Sequence, residues 1–154
     1  MSRTVPPLQG RSWTSISMDD PAGEVRLDVT YTSIAGIVAT RDWFPGHHDP
    51  GYARGQGRRT IYANTVFFQG LVDRVALEWA GRGWFIHART LEMKESVYPG
   101  DSLVCRGTVT SKDQSDGLDT VRLRVTIQVN GVDTPAVVSD IRLAAPPGMS
   151  ENRS

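Results

Sequence analysis

The 154-residue chain has the length of one ordinary domain and is too short for two enzyme-sized ones. Hydrophobic residues make up 39% and charged residues 22%, so a packed core can form and wholesale disorder is excluded. Seventeen Lys and Arg balance seventeen Asp and Glu, which excludes both the basic face of a general nucleic-acid binder and polybasic attraction to a membrane surface.

The chain opens with MSRTVPPLQGRSW, where Pro and polar groups occupy the place of a signal peptide's apolar run. No stretch approaches the ~20 apolar residues of a spanning helix. A cytoplasmic protein is expected. Residues 1–15 read as a flexible segment, 16–143 as one domain and 144–154 as a disordered tail, because neither end carries apolar periodicity to offset ordering entropy. In EVRLDVTY, Val25, Leu27, Val29 and Tyr31 alternate with polar residues, the pattern of a half-buried strand over 24–31. SIAGIVATRDWF follows and can be helical through Ile34, Ile37 and Val38. The Pro and Gly residues of FPGHHDPGYARGQG exclude regular structure there.

TIYANTVFFQGLVDRVALEWAG is the clearest helix. Phe67 or Val66, Leu71, Val75 and Trp79 recur at helical spacing, and Phe68, Val72 and Ala76 widen the stripe. So broad an apolar face predicts a helix wrapped by a sheet, ended by Gly81 and Gly83. Gly70 in its middle costs roughly 1 kcal/mol against Ala, which suggests close packing at that point. Beyond Trp84 four β-rich stretches are separated by turns at YPGD, DQSDG and NGVD, and Asn130-Gly131 is a hairpin signal. The sum is an α+β layer architecture with one long helix against a curved antiparallel sheet. Cys105, the single cysteine, excludes an intrachain disulfide and a Cys-based zinc site, and reads as core.

Chemistry concentrates in Arg41-Asp42-Trp43-Phe44-Pro45-Gly46-His47-His48-Asp49, on the loop before the long helix. Asp42 and His47 can close on one water, an imidazole titrating near neutrality beside a carboxylate. The spacing alone equally allows a solvated Asp and His. No metal is expected, because adjacent His47 and His48 in extended backbone point in opposite directions and chelate poorly. His87 and Asp101 read as structural, the latter serving its turn. Arg54, Arg58 and Arg59 form a basic loop that suits phosphate or solvent.

Asp42-x-x-Pro45-x-His47, with Ala53 six residues on, resembles the signature of the MaoC-like (R)-specific enoyl-CoA hydratases, and Pro99-Gly100-Asp101 resembles a turn of that family. A nearer likeness is to the small MaoC-like subunit of actinobacterial steroid side-chain hydratases. It runs through Ala39-Thr40-Arg41-Asp42, His47-His48-Asp49, Ile61, Asn64, Gly70-Leu71-Val72, Arg74 and Trp79-Ala80-Gly81. The resemblance implies a single hot-dog fold and water addition across the trans-2 double bond of an acyl thioester, with Asp42 and His47 as the catalytic pair. It implies oxyanion or substrate contacts at Asn64, Thr65, His48 and Phe44, weaker phosphate contacts at Arg58 and Arg59, and no cofactor beyond the coenzyme A or carrier-bound substrate. It also implies a homodimer, or a heterotetramer with a second MaoC-like chain. Phe44 stands where the signature has Asn and Gly46 where it has an aliphatic residue, and this flatter, apolar entrance suits a bulky ring. The other readings are a dehydratase or cyclase acting on a carrier-bound intermediate of secondary metabolism, and a non-catalytic hot-dog subunit.

Overall fold

A computed structural model describes residues 10–37, 42–145 and 147. Residues 1–9, Val38 to Arg41 (with the Ala39-Thr40-Arg41 part of the resemblance), Pro146 and 148–154 lie outside the described residues.

Five antiparallel strands, β1 (Pro21–Asp28), β2 (Phe85–Met93), β3 (Ser102–Ser115), β4 (Leu118–Val129) and β5 (Val137–Ala145), form one sheet in the order β1-β3-β4-β5-β2. Among the described residues, the α-helices α1 (Tyr31–Ala35), α2 (Pro50–Gly55) and α3 (Thr65–Ala80) lie between β1 and β2 in the chain. The α+β reading from the sequence therefore matches the architecture. Every second residue of the central strands points inward, among them Leu103 and Cys105 of β3, Leu123 and Ile127 of β4, and Ile141 and Leu143 of β5. They meet the broad stripe of α3, whose Phe68, Leu71, Val72, Val75, Ala76 and Trp79 are all buried. Burial pushes the Cys105 thiol up to about 12, as expected of a core cysteine.

Local chemistry sets the ends of these elements. The predicted strand over 24–31 stops earlier, because Thr30 and Ser33 close a capping box that starts α1 and leaves Tyr31 exposed. Asp116-Gly117 and Asn130-Gly131 both take positive φ. The first pair turns β3 tightly into β4, whereas the second opens a longer connection before Val137.

Several expectations are corrected. The Pro/Gly-rich loop contains α2, because Pro50 sits at the first helical position and the Asp49 carboxylate accepts the Gly51 and Tyr52 N–H groups at 2.8 and 3.0 Å. The packed domain also begins before residue 16. Arg11 donates to the Trp79 carbonyl at 2.6 Å, and the Trp13 indole donates to the Thr120 carbonyl at 3.1 Å. At the other end Ala144 and Ala145 are buried at the end of β5, so the strand runs past 143. Gly70 is not closely packed within the chain, since a Cβ there would meet nothing within 4 Å. Among the described residues no helix is long and apolar enough to cross a membrane.

Candidate active site

The site is built on the segment that runs from Asp42 to the start of α3. The Asp42 carboxylate accepts the Phe44 N–H at 3.2 Å, and Pro45–His47 then make one 3-10 turn. Gly46 in that turn is buried and has no room for a side chain, because a Cβ would lie 2.6 Å from the Phe44 ring and 2.7 Å from the Tyr62 hydroxyl. The close approach lets the His47 ring sit edge-on to both Phe44 and Tyr62, with centroids 5.4 and 4.9 Å away.

His47 Nδ1 lies 2.6 Å from the Tyr62 carbonyl oxygen. A carbonyl only accepts, so Nδ1 carries the hydrogen, and in the neutral ring Nε2 presents its lone pair. That Nε2 lies 3.7 Å from Asp42 Oδ2. The separation is too long for a direct hydrogen bond and short enough for a single water to bridge the two atoms. Both side chains are largely shielded, with 12% of His47 and 26% of Asp42 exposed.

Asn64, the N-cap of α3, completes the arrangement. Its Oδ1 accepts the Phe67 N–H at 2.8 Å, and its Nδ2 donates to Asp42 Oδ2. This amide holds the Asp42 carboxyl below the ordinary carboxylate range against the opposing effect of burial, and the Phe44 N–H and the imidazoles of His47 and His48 add to it. Asp42 is thus a carboxylate at neutral pH, beside an imidazole whose free nitrogen faces it.

No family model matches the chain. The 3-oxo-4,17-pregnadiene-20-carboxyl-CoA hydratase beta subunit of Mycobacterium tuberculosis is 34% identical over 90 residues, which are 58% of this chain and 68% of that protein. The chain belongs to the MaoC-like hydratase family. Among solved structures, the ChsH1-ChsH2 complex from Mycobacterium tuberculosis has a TM-score of 0.71 at 28% identity, covering 84% of this chain and 98% of that one. The R-hydratase PhaJ1 from Pseudomonas aeruginosa has a TM-score of 0.76 at 19% identity, covering 90% and 88%, and shows the shared hot-dog fold.

Within this MaoC-like domain the other predicted site residues separate. Thr65 heads α3, with its backbone N–H among those that an α-helix leaves without an internal acceptor, while its hydroxyl lies 3.8 Å from Met93 Sδ on β2. Phe44 is half in solvent, stands edge-on to Tyr52 at 5.7 Å, and with Trp43, 73% exposed, forms an apolar rim beside the dyad. His48 is exposed, and Asp49 is engaged in capping α2. Arg58 is exposed and sits over the Tyr62 ring at 5.5 Å. Arg59 is tied down, pairing with Asp101 at 3.0 Å and covering the Tyr98 ring at 4.4 Å, so it is less open to a phosphate than Arg58. Asp101 serves its turn, as read, by accepting the Tyr98 N–H at 2.8 Å. The sequence reading did not single out Tyr62, which contributes through its carbonyl and so leaves no signal in residue type. Asn64 was legible only as a candidate donor, although Asn just before a helical stripe is itself a capping signal.

Proposed function

We propose that this chain hydrates a trans-2-enoyl thioester, and in reverse dehydrates the 3-hydroxyacyl thioester. The observation that carries the reading is the convergence of Asp42 Oδ2 and His47 Nε2 at 3.7 Å beside the N-terminus of α3. In the forward direction His47 Nε2 takes one proton from a water held between the pair, and the hydroxide oxygen bonds to the β-carbon. The resulting imidazolium, stabilised by Asp42, returns a proton to the α-carbon. Water alone balances the addition, so the proposal invokes no cofactor and no metal. Charge that develops on the thioester oxygen is met by the N–H groups at the start of α3, Thr65 first, where the helix dipole favours an anion.

The acyl group is a bulky, ring-containing one of steroid type. The exposed Trp43 and Phe44 rings at the rim support this, as does the relative whose name specifies a pregnadiene carboxyl-CoA. Arg58, with Arg54 on α2, suits the phosphates of coenzyme A or of a carrier's prosthetic arm. A cytoplasmic setting, where such thioesters are held, fits this chemistry. The working unit contains a second hot-dog chain, as a homodimer or a heterotetramer. Two edges support that reading: β1 and β2 end the sheet, and Phe85 and Met93 on β2 are 43% and 48% exposed.

The test follows loss of the conjugated thioester's ultraviolet absorbance with a steroid-type enoyl-CoA, comparing the protein with its Asp42→Asn variant. Loss that disappears in the variant supports the reading. Equal loss in both would overturn the role of the dyad, and turnover of carrier-bound substrate alone would move the reading to the dehydratase alternative.

A further inference from the structure

We propose that Asn64 is a positioning residue of the dyad, holding Asp42 aimed at His47 while it caps α3. Its catalytic consequence rests on the hydratase reading; its geometry does not.

Asn64 is buried at 4% exposure, and each end of its amide is committed. Oδ1 faces the Phe67 N–H at 2.8 Å, which leaves Nδ2 facing Asp42 Oδ2, the oxygen that also stands 3.7 Å from His47 Nε2. Reversing the amide would set NH₂ against N–H at one end and a carbonyl against a carboxylate at the other, so the orientation is fixed by both partners at once. Capping alone does not call for this residue, because Ser, Thr and Asp cap as well. Asn is the member of that group whose side chain presents an N–H donor beyond the capping oxygen. The Phe44 N–H donates to the other carboxylate oxygen at 3.2 Å, so each oxygen of Asp42 has its own donor. The charged or titratable groups that act on it are His47 and His48, both on the turn that follows. Loss of the amide therefore frees the carboxylate to turn and removes the largest influence that lowers its pKa.

The experiment uses the full chain with Asn64→Ser and Asn64→Asp, both favoured caps, and confirms folding by circular dichroism and Tm. Asp42 is titrated through its carboxyl ¹³C resonance, and kcat and KM for enoyl-CoA hydration are measured across pH. Asn64→Ser removes the amide N–H and leaves one short hydroxyl, drawn to the Phe67 N–H, without adding charge, so the Asp42 midpoint rises. Asn64→Asp adds a like charge and raises it further, by about one pH unit or more. The acid limb of kcat/KM follows, and kcat falls about tenfold or more with KM changed less than about twofold. Should Asn64→Asp not fold, Asn64→Ser alone decides the matter. Folded variants whose Asp42 midpoint and kcat match the parent would overturn the proposal and leave Asn64 as a cap. If the parent chain hydrates no thioester, the hydratase reading fails, while the ¹³C titration still decides whether Asn64 governs Asp42.

Discussion

Tyr62 and Asn64, on the short segment entering α3, each hold one member of the dyad: the Tyr62 carbonyl takes His47 Nδ1–H at 2.6 Å, and the Asn64 amide donates to Asp42. The residue between them faces the other way along the chain, with the Ala63 N–H bonded to the Val97 carbonyl at 2.9 Å. One three-residue stretch thus holds the imidazole, the carboxylate and Val97, the residue before the Tyr98–Asp101 turn. A movement of this segment would therefore shift both the imidazole and the carboxylate.

His47→Ala removes the proposed base while leaving Asp42 bonded to Asn64 and Phe44. We expect kcat for thioester hydration to fall by about 10²–10⁴-fold, the usual worth of a positioned proton-transfer group. Steady-state rates with the steroid-type enoyl-CoA check this. A fall below threefold would assign the chemistry to Asp42 acting alone.

Gly46→Ala tests the close approach beneath the imidazole. Gly46 is not among the positive-φ glycines, so the expected damage is steric, from contacts of 2.6 Å to Phe44 and 2.7 Å to Tyr62. Overpacking of this kind costs about 1–3 kcal/mol, and it pushes the two rings that flank His47. Denaturant unfolding should show the loss, and kcat should fall with it. Adding Phe44→Ala, which clears one of the two contacts, should restore part of the stability.

The legible parts of the molecule were those written in periodicity. Alternation in LVCRGTV and VRLRVTI announced β3 and β4, and the wide stripe from Phe68 to Trp79 announced a helix that needed a sheet around it. The dyad was legible as spacing on a Pro/Gly loop. What escaped were contacts between backbone and side chain across the fold, such as Tyr62 with His47, because a carbonyl has no residue-type signature. α2 escaped for a different reason. Pro50 has the character of a breaker by residue type, whereas after an Asp it marks the first position of a helix. Trp13 escaped because its partners, Lys112 over its ring at 4.2 Å and the Thr120 carbonyl, lie about a hundred residues away in the chain.

Asp101 ties its own turn to the β4–β5 connection and to the basic loop. It is buried and accepts from the Tyr98 N–H at 2.8 Å, the Asn130 amide at 3.0 Å and Arg59 at 3.0 Å. Burial by itself raises its pKa, but these three donors outweigh that effect and hold it below the ordinary 3.8. A carboxyl whose folded pKa is depressed stabilises the fold fully above its unfolded pKa, and that contribution is lost as pH falls through the lower folded value. Asp101→Asn should therefore cost about 2 to 4 kcal/mol at pH 7, where a charged acceptor is lost and a donor is set against donors. The gap between parent and variant should stay constant above about pH 5 and narrow below about pH 4. Urea unfolding at pH 7 and pH 3 checks both statements, and an unchanged gap at the two pH values would contradict them.

Gly70 bears on the partner chain. It lies on the exposed side of α3 between Val66 and Leu77, which are 44% and 38% exposed, and its missing side chain fits no neighbour within its own domain. In an isolated helix Gly is inferior to Ala by about 0.8–1.0 kcal/mol, so a glycine at an open helical position is costly unless something approaches it. The proposed pairing with a second hot-dog chain supplies that approach. Gly70→Arg should then keep the helical circular dichroism, because Arg is a good helix former and the position is exposed with open space at its Cβ, yet shift the mass measured by light scattering from the assembly to the single chain. An assembly of unchanged mass, with full thioester hydration, would place the pairing elsewhere, with the β2 edge and its exposed Phe85 and Met93 as the next surface to test.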